Sequence, residues 1–422
     1  MYRVLATANA FSRAGWEVTV LTATRETFAR LTGSDPDAER HIDSRINVVR
    51  IPFDSRRGEA NLRKWSRFRL LSPLLWNYLH LTRSRITFPE SSYGNWKAPL
   101  IRASEEIHRR HPVDLVVGSA NPNVDFVPGL HLHRAYAVPY VMDYRDAWHL
   151  SVYSGKRVGS PKRRSNRLER RLLGNAKEAW FVNQAIRDWH AVEYPSGAER
   201  FHVVANGFDP EFLRSFAVST PDPASGLTFG YLGTISGPLP LRETLDGWRI
   251  ARSESLVVSR SRLVFRGRIG QGAEADARTV ALLEEYRDDN VVHQGPVSKT
   301  KVAEVYQEFD ALLLVLARGK YVTSGKVFEY AATGLPIAAL FHPETAATHV
   351  LKGHPRVSSV ADTTPRLIAD ALIATAEEAL ATTPESIDQA RTWAAHLARD
   401  AQLSPRISAL YDDLNPRREA AK

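Results

Sequence analysis

The stretch Tyr321-Val-Thr-Ser-Gly-Lys-Val-Phe-Glu-Tyr-Ala-Ala-Thr-Gly-Leu-Pro-Ile337 decides how the chain folds. Ahead of it runs Ala311-Leu-Leu-Leu-Val-Leu-Ala317, an unbroken apolar run that predicts a buried parallel strand. Thr323, Ser324 and Gly325 supply N-cap chemistry, and Lys326 to Thr333 are mostly good helix formers. Gly334 and Pro336 end that helix, and Pro336 to Leu340 begins another strand. The segment therefore reads strand, loop, helix N-terminus, short helix, strand. A helix N-terminus offers unpaired N–H groups and a partial positive charge, which suits a diphosphate. Lys326 stands in the first turn, where a cation opposes the helix dipole unless an anion sits beside it. Glu329, one turn further in, can accept two hydrogen bonds from a vicinal diol such as a ribose. The plainer alternative is a solvated Glu329 ion-paired with Lys326.

Ser-Gly-Lys-Val-Phe-Glu-Tyr-Ala-Ala-Thr-Gly-Leu-Pro-Ile resembles the nucleotide-sugar motif of retaining glycosyltransferases of family 4, also called group 1. That motif usually carries two glutamates. The second matches Glu329, which implies a ribose ligand. The first, which lies near the transferred sugar, falls on Tyr321 and is a departure. The resemblance implies donor contacts from Ser324, Gly325, Lys326 and Glu329.

The chain has 422 residues, too long for one ordinary core, so two domains of about 200 residues are expected. It is 43% hydrophobic and 24% charged, the balance of a globular protein. Cysteine is absent, which excludes disulfides and thiolate metal sites and fits the cytoplasm. No apolar run reaches the roughly 18 residues of a membrane span, and the N-terminus lacks a signal-peptide core. A net charge of +9 favours anionic partners.

Along the chain, Ala6 to Ala14 reads as a helix and Gly15 to Thr22 as a C-cap and strand. In family 4 this strand resembles the second of the N-terminal domain. The first strand and its Gly-rich loop, which touches donor phosphate or acceptor, have no counterpart before it. Ile46 to Ile51 is the next strand. The segment Arg56 to Arg85 then carries eight basic residues and one acid, interleaved with Trp65, Trp76, Tyr78 and many leucines. That mixture suits contact with an anionic lipid surface, or a folded face whose arginines are solvated. Nucleic acid is disfavoured, since no recognition module accompanies the charge.

Asp114 to Ser119 is a strand that opens into the loop Ala120-Asn-Pro-Asn123. In open α/β sheets that end carries ligands, so Ser119, Asn121 and Asn123 are acceptor-side candidates. Val138 to Trp148 resembles the Pro-x-Val-x-Asp-x-Arg-Asp-x-Trp segment of a subset of the family. Asp143, Arg145 and Asp146 are its catalytic candidates, and an ion-pair network that shapes the loop is the alternative. Asn166 to Gly174 reads as an exposed basic helix. Ala179 to Asn183, Ala185 to Tyr194 and Phe201 to Asp209 follow as strand, helix and strand with turn. Ser215 to Ser225, with Pro221 and Pro223, reads as a linker.

In the second half, Leu227 to Ile235 is a strand in which Gly230 and Gly233 permit close backbone approach. The following Ser236 to Arg242 lacks the Lys-Gly that many members carry there. Leu263 to Arg268 ends a strand in two arginines, Arg266 and Arg268, either of which is placed to reach a diphosphate. Val291 to Val297 precedes a helix over Lys299 to Phe309, and His293 and Gln294 suit contacts with a nucleobase edge. Asp35-Pro-Asp37 lies far from these motifs and is discounted as a metal site.

Strands alternating with helices predict two doubly wound parallel sheets. By resemblance this is the α/β GT-B architecture, two such domains facing a cleft. The N-terminal acceptor-side domain spans 1–214, with a helix at about 404–416 packing back on it, and the nucleotide-sugar domain spans 226–403. The resemblance implies transfer of a sugar from a nucleotide-diphosphate sugar to a hydroxyl with retention, without a metal or other cofactor. It further suggests a sugar or lipid-linked acceptor, and cell-surface polysaccharide or glycolipid synthesis by a cytoplasmic protein at the inner membrane face. A non-catalytic nucleotide-sugar-binding member and a GT-B-like epimerase are the alternatives.

Overall fold

The structure, a computed structural model, describes residues 2–31, 39–53, 59, 61–90, 93–213, 216, 218, 220–222, 224–270, 275–298 and 301–415. Asp35 to Asp37, Arg56, Arg57, Ser215, Pro223 and Lys299, all named above, lie outside them. The chain divides into two compact units. Unit 1 holds residues 1–151, 156–205 and 403–422, and unit 2 holds 152–155 and 206–402.

Unit 1 opens with helix α1 (Tyr2–Arg13), longer at its start than the helix expected from Ala6. Its parallel strands fall into two sheets. The first pairs β1 (Thr19–Ala23) with β2 (Asn47–Ile51). The second runs in the order β3 (Val116–Ala120), β4 (Tyr140–Tyr144), β5 (Glu178–Phe181) and β6 (Phe201–Val203). Every residue of β4 and β5 is buried, the carboxylates Asp143 and Glu178 included, as central strands of a parallel sheet are. Between the sheets in sequence stand α2 (Arg67–Leu71) and α3 (Pro73–Thr87). Ser66 caps α2 by accepting from the Arg69 N–H, and Pro73 stands in the first turn of α3, where its fixed φ starts a helix instead of breaking one. Helix α4 (Arg164–Asn175) lies between β4 and β5 in the chain.

Unit 2 is built on one six-stranded parallel sheet. Its strands are β7 (Thr228–Leu232), β8 (Arg262–Arg266), β9 (Val291–His293), β10 (Ala311–Val315), β11 (Ile337–Leu340) and β12 (Val357–Ser359). They lie in the order β12-β11-β10-β7-β8-β9. This is the doubly wound pattern, and the winding reverses between β7 and β10, where such sheets carry their ligands. The helix before β10 is Val302–Gln307, shorter than the span expected from Lys299 to Phe309. Helix α5 (Gly325–Thr333) joins β10 to β11. A core of Phe229, Trp248, Leu263, Leu313, Ile368 and Leu372 covers one face of the sheet.

The last helix, α6 (Arg399–Leu414), contributes to unit 1 from Leu403 onward. Leu403, Ile407 and Leu410 pack with Phe11, Val141, Trp180 and Val204. Each such side chain contributes about 1.5–3 kcal/mol by leaving water. No described helix is long and apolar enough to cross a membrane.

Candidate active site

In unit 2 the motif helix is fastened to the reversal point of the sheet by its own residues. Ser324 caps α5, accepting from the Lys326 N–H at 3.3 Å, and Gly325 is the first helical residue. The Tyr330 hydroxyl accepts from the Leu232 N–H at 2.7 Å, tying α5 to the end of β7. At the other end, Gly334 (φ +83°) terminates the helix, and buried Arg356 donates to its carbonyl at 2.7 Å, a cation where the dipole is negative.

This fastening sets Lys326 against Gly233. A Cβ at Gly233 (φ +142°) would stand 2.9 Å from Lys326 Nζ, so only glycine fits that backbone and leaves room for the ammonium. Gly267 (φ +146°) backs it: a Cβ there would meet the Gly233 carbonyl oxygen at 2.0 Å. Lys326 Nζ donates to the Tyr231 hydroxyl at 2.5 Å and lies 3.8 Å from the Tyr231 ring centre, while that hydroxyl donates to the Thr234 carbonyl at 2.9 Å. Burial pushes the Lys326 ammonium down to about 7, against the smaller opposing pull of Glu329. A cation held in so dry a place at a helix N-terminus is one for which an incoming anion supplies the missing charge. Glu329 accepts a long hydrogen bond from Tyr306 at 3.4 Å and keeps part of its surface in solvent.

Gly233, Ser324, Gly325, Lys326 and Glu329 thus share one corner of unit 2. Arg266 does not join them in this geometry. Its guanidinium donates to Glu308 at 3.2 Å and to the Gln294 carbonyl at 3.4 Å. Arg268 is exposed and lines a concavity of about 1500 Å³ together with Arg260, Arg262 and Arg287. That concavity runs along β8 and β9 and includes neither Lys326 nor Glu329, so its size does not mark the reacting centre. His293 faces the backbone, its Nε2 lying 2.8 Å from the Gly267 carbonyl.

In unit 1 the loop candidates separate. Asp143 was expected to serve catalysis. It is instead 0% exposed, with Arg3 bonded to both carboxylate oxygens and Ser119 donating at 2.9 Å. Arg3 also donates to the carbonyls of Val204 and Ala205, so one guanidinium joins α1, β4 and the end of β6. Asp143 therefore holds structure, and Ser119, half-exposed, spends its hydroxyl proton on it. Asn123, expected on an open loop, is buried, and its N–H donates to Glu90 at 2.9 Å. Asp146 stays exposed and accepts from the exposed Asn121 at 3.1 Å, and Arg145 is half-buried. These three remain accessible at the loop.

Two arrangements around this loop escaped the sequence reading. The first is a buried net on Glu169. His149 Nδ1 lies 2.6 Å from its carboxylate, Tyr144 donates at 3.0 Å, Tyr194 also donates, and His190 lies 3.8 Å away. Burial would raise this carboxylate, but the hydrogen bond to His149 and the nearby His190 ring hold it below its usual range. The net anchors the segment after Asp146 to α4. The second is the acid pair Glu90 and Asp125, both pushed up by burial, with the Glu90 carboxylate further raising Asp125. Neither set forms a motif in the chain, since Glu169 lies 20 residues from His149 and Glu90 lies 33 from Asn123. Among the described residues no three His, Asp or Glu side chains converge as metal ligands.

Residues 2–207 match the model of the glycosyl transferase 4-like domain. No curated protein sequence matches the chain. Among solved structures, HepE of Anabaena in complex with UDP and glucose is similar at a TM-score of 0.56 and 14% identity, covering 97% of this chain and 95% of its own. A UDP-forming α,α-trehalose-phosphate synthase from Burkholderia vietnamiensis is similar at 0.61 and 11% identity, covering 95% and 99%. A UDP-N-acetylglucosamine 2-epimerase is similar at 0.50 and 13% identity, covering 95% and 96%. At such identities the likeness speaks for the fold. Residues 2–207, just under half of the chain, thus resemble a glycosyl transferase 4-like domain, and the chain has the fold of the GT-B glycosyltransferases.

Proposed function

We propose that the protein transfers a glycosyl group, with retention, from a nucleotide-diphosphate sugar to a hydroxyl acceptor in the synthesis of cell-surface polysaccharide or glycolipid. The observation that carries this reading is the dry Lys326 ammonium wedged against Gly233 at the N-terminus of α5. In this reading the diphosphate lies across Gly233, Ser324 and Gly325, and Lys326 neutralises the charge that grows as the sugar–oxygen bond breaks. Glu329 takes the ribose diol. The acceptor oxygen attacks the face the diphosphate leaves, and its proton passes to the departing diphosphate oxygen. No resident cofactor takes part. Half-buried Arg145 and exposed Asp146 and Asn121 are the groups left to meet the sugar or acceptor. The likeness to HepE, solved with UDP and glucose, makes uridine donors the first to test.

Tyr321, where the family carries its first glutamate, favours a second reading in which the chain binds a nucleotide sugar without turning it over. A thermal-shift screen of nucleotide sugars, followed by assay of donor hydrolysis and transfer, separates the two. Stabilisation by a nucleotide sugar with transfer supports the first reading, and stabilisation without either reaction supports the second. Stabilisation by free anions alone sinks both. An epimerised sugar in place of a transferred one identifies the epimerase chemistry that the same fold accommodates.

A further inference from the structure

Helices α2 and α3 present their apolar side outward. Leu71 is 85% exposed and Leu74 87%. Leu75, Tyr78, Leu79 and Ile86 continue the exposed stripe along α3 at helical spacing. The tryptophans of the same segment turn the other way. The Arg69 guanidinium lies 3.7 Å from the Trp65 ring centre and 4.5 Å from that of Trp76, and Trp76 stacks on His80 at 4.8 Å. Ser84 Oγ accepts from the Gly94 N–H at 3.1 Å, and Phe88 enters the core beside Trp96. The segment is therefore closed on itself by its tryptophans and Arg69 and fastened to unit 1 through Ser84 and Phe88, while its leucines face water. Exposed Arg63, Lys64 and Arg67 lie at one end of the stripe and exposed Arg83 and Arg85 at the other, and Glu59 and Glu90 are the acids from residue 59 to residue 90.

We propose that this stripe is a membrane-docking face that lays Leu71, Leu74 and Tyr78 into the headgroup boundary of an anionic lipid surface. The inference extends the glycosyltransferase reading, in that a lipid-linked acceptor is met at such a surface. Charge selects the occupant. A second copy of the chain would bring two basic rims together, and like charges in contact oppose association. An anionic bilayer supplies both an apolar medium for the leucines and a continuous negative surface for the rim. The face is a stripe of leucines along the helices, which fits a plane better than a folded protein ligand.

The full chain is sedimented with vesicles of phosphatidylcholine alone or with about one third phosphatidylglycerol. Binding to the anionic vesicles at low salt is expected, at least tenfold above binding to neutral ones. It falls as salt approaches about 1 M, where the screening length shortens to about 3 Å. Leu71→Ser with Leu74→Ser lowers bound protein at least tenfold with an unchanged melting temperature, since both side chains stand in solvent. Because the chain has no cysteine, Leu74→Cys accepts a single environment-sensitive dye, as does Leu256→Cys, an exposed position in unit 2. The dye at residue 74 shifts to the blue on anionic vesicles and the dye at 256 does not. Absence of vesicle binding, equal binding by the double variant, or an unshifted dye at 74 overturns the proposal. So does a lipid-free dimer that the double variant dissolves. Binding of nucleotide sugar in solution is measured on the same variants. Its retention alongside lost vesicle binding supports docking as a separate property, and its absence in the unaltered chain counts against the glycosyltransferase reading while leaving the vesicle result to decide docking.

Discussion

The two units handle charge in opposite ways. In unit 2 the candidate cation, Lys326, is half-buried beside a hydroxyl and a glycine, and the loss of water around its ammonium lowers it to about 7. In unit 1 the matching carboxylate, Asp143, is buried against a guanidinium that satisfies it fully. One group waits for a counter-charge and the other has one. Burial alone therefore does not mark a functional residue; burial with the charge left uncompensated does. The helix-capped, glycine-lined corner of unit 2 resembles a binding site in this sense, and the Arg3–Asp143 pair resembles a rivet.

The largest expected effect tests the rivet. Asp143→Ala leaves Arg3 buried without its partner, which costs about 3–5 kcal/mol. Chemical denaturation of the variant should show this as a lowered midpoint at unchanged slope. Arg3→Met with Asp143→Leu, which removes both charges, should recover much of the loss. If Asp143→Ala melts with the unaltered protein, the pair is no rivet and the comparison fails.

Next in size is Glu329→Gln, which removes a charged hydrogen-bond partner of the donor ribose. A loss of about 1.5–3 kcal/mol in nucleotide-sugar binding is expected by calorimetry, with little change in melting temperature. Donor affinity within twofold of the original would return Glu329 to the role of a solvated helix residue.

The third prediction uses the depressed ammonium. Lys326 sits below its unfolded value near 10.5, so the folded state binds fewer protons than the unfolded one between about pH 7 and pH 10.5, and stability from this group rises with pH across that window. Donor binding runs the other way. A bound diphosphate favours the charged ammonium, so binding takes up a proton above pH 7 and affinity falls with rising pH by at most tenfold per unit, about 1.4 kcal/mol. Tyr231 and Glu329 face the ammonium, and Glu329 opposes the depression without cancelling it. Calorimetry in buffers of different ionisation enthalpy should detect the proton, and Lys326→Arg should abolish it. A flat pH profile would mean that Lys326 is already charged before the donor arrives.

How much of this was legible in the chain depends on the reach of the interaction. β10, the Ser324 cap, α5 and the Gly334 stop are written in consecutive residues, so local chemistry announces them. That unit 2 is a parallel sheet with helices follows from the alternation of strands and helices, whereas the place where its winding reverses, between β7 and β10, is fixed by distant pairing. The division of the unit 1 strands into two sheets was not legible, because pairing between distant segments leaves no local mark. The same holds for side chains. Arg3 reaches Asp143 across 140 positions, and Lys326 reaches Tyr231 across 95. The sequence placed Asp143, Arg145 and Asp146 in one loop cluster but could not say which had a partner elsewhere. The apolar period of α3 is visible in its leucines, whereas the inward turn of Trp65 and Trp76 depends on Arg69 standing between them.

The smallest expected effect on stability sharpens that last distinction, within a few residues of the largest. Asp146 lies three positions after Asp143 in the same strand-to-loop segment, carries the same charge, and differs only in where its oxygens point. It is exposed, and it accepts a hydrogen bond from Asn121, which is exposed too. A pair of that kind contributes at most about 1 kcal/mol, and often nothing measurable. Asp146→Asn should therefore leave the denaturation midpoint nearly unchanged, while Asp143→Asn, which keeps the shape but removes the charge facing Arg3, should lower it strongly. Activity sorts the same two variants differently. If Asp146 meets the sugar or acceptor, Asp146→Asn slows turnover with stability intact, and the loss at Asp143 tracks the folded fraction. Equal melting shifts for the two variants would mean that the loop, and not the buried pair, carries the structural role, and the contrast drawn between the units would have to be given up.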